Sequence, residues 1–162
     1  MNKLSATRIV TTALIALITN GAFSQGLFDP NLALRVLCIS PYSVGSKIEG
    51  DAQMTARLTA RVTNELERRF TLSRVDFKKT SSCGNALFAQ INVETTSGPT
   101  RGVLVEARLT ELGSSYPAPI ILWTSSTFGS INLTGLALED LLFETMRDRI
   151  EDLAIAWIKA NP

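Results

Sequence analysis

The sequence predicts an α/β (α+β) fold. The expected architecture is a two-layer sandwich, with two long helices on one face of a mixed, mostly antiparallel sheet of about five strands. Three observations predict it. Apolar residues recur every three or four positions from Met54 to Phe70 and from Leu138 to Trp157, the period of a helix with one buried stripe. Between these stretches the chain alternates apolar and polar, the period of a half-buried strand. Clusters of Gly, Pro, Ser and Asn separate the runs and mark the turns. The expected order is β-α-β-β-β-β-α.

Leu32–Ser40 is rich in Leu, Val and Ile and reads as the first strand. Pro41–Gly50 supplies Pro, Ser and Gly and reads as a loop. Asp51 is placed to cap a helix running to about Phe70, with Met54, Leu58, Val62, Leu66 and Phe70 as its buried stripe. On a neighbouring face Glu65 has Arg61 and Arg69 one turn to either side. Arg74–Lys79 alternates around Val75 and Phe77 and reads as a half-exposed strand, followed by a turn over Thr80–Asn85. Leu87–Thr95 and Val103–Leu112 alternate on either side of Ser97-Gly98-Pro99-Thr100, which predicts a hairpin. Gly113–Pro119 reads as a loop, Ile120–Thr124 as a short strand, and Ser125–Thr134 as a polar connection. The second helix is expected over Gly135–Ala160, capped by Thr134, with Leu138, Leu142, Met146, Ile150, Leu153 and Trp157 facing the core. Trp123 and Trp157 are expected where the last strand meets this helix.

The first 24 residues have a different character. Lys3 and Arg8 precede an apolar run from Ile9 to Ile18, and Ala22-Phe23-Ser24 brings small residues to the two positions a signal peptidase must admit. This is the pattern of a cleavable secretory signal, with cleavage after Ser24 leaving Gln25 first. The apolar run is about half the ~20 residues that span a bilayer, so no membrane-spanning segment is expected in the mature form. The cleavage point carries no Cys to accept a lipid anchor. Residues 25–162 are then one domain.

Composition narrows the chemistry. Removing Lys3 and Arg8 leaves 14 basic residues against 15 acidic, a net charge of −1. A near-neutral chain draws in neither nucleic acid nor anionic lipid through its overall field. Histidine is absent, which removes Ser-His-Asp and Cys-His catalysis and most zinc, copper and haem sites. No cofactor is expected. The two cysteines, Cys38 and Cys83, fit a single disulfide in an oxidising compartment. A loop of about 45 residues closed by it stabilises the fold by roughly 3–4 kcal/mol on the chain-entropy model.

Three surface features invite a functional reading, each beside a plainer one. Asp140, Glu144, Asp148 and Asp152 lie four apart on the second helix, away from the core stripe. They suit a docking surface or a weak divalent-ion site, or simply a solvated face. Residues 51–80 have a net charge of +3 and include Arg57, Arg61 and Arg68. An anionic envelope partner would fit them, and so would ordinary solvation. The opposite charge bias of the two helices also permits self-association. Trp123–Ser130 places hydroxyls and a glycine after a strand, a position where α/β folds often hold ligands, or where hydroxyl-capped turns sit. No S-x-x-K, G-x-S-x-G or phosphate-cradling glycine pattern accompanies it.

The order of elements resembles that of small envelope-assembly modules, among them CsgG-like and TolB N-terminal-like domains, by arrangement alone, and it implies no site residues. The sequence therefore reads as a periplasmic or secreted, non-catalytic binding or assembly module of the bacterial cell envelope. Two rivals stand beside it: a hydrolase-type enzyme built on hydroxyls and carboxylates near residues 123–130, and a secreted effector or inhibitor.

Overall fold

The structure is a computed structural model that describes residues 32–33, 35–80, 84–96, 100–111 and 120–162. The leader expected over residues 1–24, Cys83, the tip of the expected hairpin and the loop expected over Gly113–Pro119 lie outside the described residues.

Among the described residues the first strand is β1 (Leu37–Ile39), buried throughout. Pro41 interrupts it, and Ser40 and Ser43 form a tight turn. The Ser40 amide donates to the Ser43 hydroxyl at 2.8 Å, and the Ser43 amide donates to the Ser40 carbonyl at 3.0 Å. The backbone then resumes as β2 (Val44–Ile48). The loop expected over Pro41–Gly50 thus contains a strand. A proline removes one donor, and here the turn that holds it passes the chain from the small β1-containing sheet to the edge of the four-stranded one.

Helix α1 (Ala52–Leu72) follows, and Asp51 caps it by accepting from the Met54 amide at 2.8 Å. Its stripe of Met54, Leu58, Val62, Leu66 and Phe70 is buried as its spacing requires. The helix ends at Ser73, whose amide donates to the Arg69 carbonyl at 2.9 Å, while the Val75 amide donates to the Phe70 carbonyl at 3.0 Å. Arg74 between them takes a left-handed φ of 54°, the conformation this helix ending demands and glycine adopts most easily. The next strand is shorter than expected: β3 (Phe77–Lys79) pairs in parallel with β1.

Three long strands complete the sheet: β4 (Asn85–Thr95), β5 (Arg101–Glu111) and β6 (Ile120–Ile131). The four-stranded sheet runs β2-β4-β5-β6, with β2 parallel to β4 and the other pairs antiparallel. The polar connection expected over Ser125–Thr134 is a strand as far as Ile131. Ser125 is in register with Ala107 and Thr127 with Val105. Hydroxyl residues read as turn formers, yet the pairing with β5 holds them extended, and β-branched Thr suits a pleated surface.

Helix α2 (Gly135–Ala160) closes the fold. Thr134 occupies the cap position, but its side chain makes no capping bond, so the expected hydroxyl cap is absent there. Leu138, Leu142, Met146, Ile150 and Leu153 are buried, and Trp157 packs half-buried against the core. Both helices lie on one face of the sheet. They enclose a core with Ile91 and Val93 of β4 and Val105 and Leu109 of β5. Phe70 and Phe77 meet edge to face at 5.8 Å, and the Trp157 indole donates to the Arg35 carbonyl at 2.8 Å.

Asn85 joins the small parallel pair to the main sheet. Its side-chain oxygen accepts from the Cys38 amide at 3.2 Å, and its amide nitrogen donates to the Val36 carbonyl at 3.0 Å. A buried side chain here satisfies backbone groups that a neighbouring strand would otherwise pair.

Candidate functional site

Of the charged residues singled out on the two helices, Arg57, Arg61 and Asp140 meet along the seam between α1 and α2. Glu139, buried on α2, accepts from Arg57 Nε and Nη2 at 2.9 and 2.8 Å and from Arg61 Nη1 at 3.1 Å. Arg61 also reaches Asp140 at 3.1 Å and lies 4.2 Å above the centre of the Phe143 ring. The hydrogen bond from Arg57 holds the Glu139 carboxyl below the usual carboxylate range against the opposing effect of burial, and the same bond raises the Arg57 guanidinium. Arg69 continues the seam to Glu151 at 3.2 Å.

Arg68 binds Glu65 on its own helix at 2.7 and 2.6 Å, which lowers the Glu65 carboxyl. Of the two arginines expected beside Glu65, Arg69 lies 3.9 Å away while Arg61 turns to α2. Glu144 pairs with Arg147, and Asp152 with Arg149 at 3.1 Å. Asp148 and Asp140 are exposed. The acidic row therefore does not converge on one point. Most of its members have a guanidinium within reach, and among the described residues no group of three or more Cys, Asp or Glu is placed to hold a metal ion.

The hydroxyl-rich segment lies along β6. The Ser125 hydroxyl accepts from Arg149 Nη1 at 2.8 Å and donates to Asp152 Oδ2 at 3.1 Å. Thr124 donates to Glu106 at 3.3 Å on the opposite face of the sheet. With a cation bonded to both its oxygen and its carboxylate neighbour, Ser125 serves as a bridge from β6 to α2. The exposed residues of the segment are Phe128, at 70 % of its full accessibility, and Gly129 and Ser130.

A cleft of about 470 Å³ lies elsewhere, beyond the carboxyl ends of β1 and β3. Its walls include Ile39, Ser40, Val44 and Thr63, together with Lys79 and Glu67, which are hydrogen-bonded to each other at 2.6 Å. Its volume suits a small molecule, and its position matches the ligand crevice of parallel strands. It offers one cation, one carboxylate and several hydroxyls beside an apolar wall. These residues come from separate stretches of the chain, so no spacing in the sequence announces them.

No helix among the described residues is long and apolar enough to cross a membrane. No family model matches the chain, and no curated protein matches it. Among solved structures, the chain is similar to a PelC dodecamer variant from Paraburkholderia phytofirmans at 13 % identity and a TM-score of 0.38, covering 75 % of this chain and 86 % of that one. A second PelC dodecamer structure from the same organism aligns at 10 % identity and a TM-score of 0.38, covering 84 % and 92 %. A minor lipoprotein from Acinetobacter baumannii aligns at 15 % identity and a TM-score of 0.25, covering 70 % and 85 %. At such scores the likeness assigns this chain no assembly, location or partner.

Proposed function

We propose that this chain is an exported, non-catalytic module that binds or assembles with another component of the bacterial cell envelope, in the periplasm or at the cell exterior. The observation that carries the reading is the amino-terminal pattern: two cations, a ten-residue apolar run from Ile9 to Ile18, and the small residues of Ala22-Phe23-Ser24. In this reading the leader is removed after Ser24, the domain of residues 25–162 is released, and Cys38 and Cys83 are oxidised together.

The disposition of charge supports a binding role over chemistry at the helices. Arg57, Arg61 and Glu139 are engaged with one another, and the exposed carboxylates Asp140 and Asp148 lie on the solvent side of α2. A basic or polar partner docking there would meet negative charge at the rim, which steers encounter more than it sets affinity.

Cross-linking in intact cells, followed by mass spectrometry of the captured adducts, tests the proposal. The expected result is repeated recovery of the same envelope component. Adducts confined to cytosolic proteins would refute it.

A further inference from the structure

We propose that two copies of this chain pair edge to edge through β6, antiparallel, to form one continuous eight-stranded sheet. Strand β6 ends the four-stranded order and, among the described residues, pairs with β5 alone. It is 12 residues long, and its sequence, IILWTSSTFGSI, contains no Lys, Arg, Asp, Glu or Pro. Soluble proteins normally blunt such an edge with charge, proline or shortness, because its unpaired backbone groups template another strand. The strand at the other end of the sheet, β2, is blunted in that way: it has five residues and carries Lys47.

The side chains of β6 select a second copy as the occupant. Register with β5 places Trp123, Ser125, Thr127 and Gly129 on the helix-covered face, and Thr124, Ser126 and Phe128 on the outer face. A two-fold axis normal to the sheet keeps faces matched, so residues an equal number of positions either side of the axis meet. With the axis at Ser126, Trp123 meets Gly129, Thr124 meets Phe128, Ser125 meets Thr127, and Ser126 meets itself.

Large side chains then face small ones, and no charge faces a like charge. Gly129 has open space where a Cβ would stand, and Trp123 of the other copy lies opposite it. Phe128, exposed beside the partly exposed Leu104 of β5, is covered by Thr124 of the other copy. Cross-strand aromatic and β-branched neighbours of this kind stabilise a sheet. The pairing involves this chain alone, so its failure and the failure of the export reading are distinguishable.

Sedimentation and native mass spectrometry of the mature chain over a wide concentration range test it. The wild type is expected to form a two-copy species. Ser126→Lys sets two ammonium groups against each other at the axis and weakens the dimer by on the order of tenfold or more, with the thermal unfolding of the monomer unchanged. An equimolar mixture of Ser126→Lys and Ser126→Glu restores a mixed two-copy species, which a strand added from an unrelated peptide would not do. A wild type that stays monomeric, assembles into a larger ring, or keeps its dimer in Ser126→Lys overturns the proposal.

Discussion

The Glu139 carboxylate on α2 takes two hydrogen bonds from the Arg57 guanidinium on α1, at 2.9 and 2.8 Å, and thereby ties the two helices together above the sheet. Glu139 is only 3 % exposed, so its charge depends on this partner and on Arg61. Glu139→Gln is expected to lower stability by about 1–2 kcal/mol at neutral pH, the size of a charged hydrogen bond weakened at a partly solvated seam. The folded-state pKa of Glu139 lies below its ordinary value of 4.5. Its contribution is therefore present above that value and lost as pH falls through the lower folded one. Urea unfolding of both proteins should show the gap between them closing below about pH 4. A gap that widens in acid would contradict the assignment.

Asn85 supplies both an acceptor and a donor to the backbone around Cys38. Asn85→Leu keeps the volume but leaves the Cys38 amide and the Val36 carbonyl without that partner. A loss of about 2–3 kcal/mol is expected, since losing a hydrogen bond to a backbone group shielded from water costs about 1–3 kcal/mol. Asn85→Asp retains the acceptor and loses the donor, and should fall between the two. Denaturant midpoints of the three proteins check the order.

Arg74 holds a left-handed backbone at the end of α1. Arg74→Gly relieves the Cβ strain there, partly offset by the greater freedom glycine has in the unfolded chain. A net gain of about 0.5–1 kcal/mol is expected, read as a higher Tm. A lower Tm would mean that the Arg74 side chain contributes more than its conformation costs.

The proposed Cys38–Cys83 bridge would tie the middle of β1 to the segment before β4. Mass measurement of the secreted protein before and after reduction should show a gain of two hydrogens. Cys38→Ser should destabilise the fold by roughly 3 kcal/mol or more on the loop-entropy model. An unchanged mass on reduction would exclude the bridge.

The helices were legible because each buries one stripe, and Met54 to Phe70 and Leu138 to Leu153 repeat at the helical period. Strands β4 and β5 were legible for the matching reason, since Leu87, Ala89, Ile91 and Val93 alternate with half-exposed residues. Strand β2 and the far half of β6 were not, because Val44-Gly45-Ser46-Lys47 and Ser125–Ser130 carry turn-forming residues whose extended shape comes from their neighbours in the sheet. The helix seam was half legible. Sequence spacing put charge on Arg57, Arg61 and Asp140 but did not single out Glu139, and only packing shows that it faces α1. The cleft beside Lys79 and Glu67 was hidden because its walls are assembled from separate segments.

Export is the central claim, and the mass of the protein recovered from its native host tests it most directly. The account predicts a chain beginning at Gln25, recovered from the periplasmic or extracellular fraction. A chain that still begins at Met1 and is found in the cytosol would contradict it.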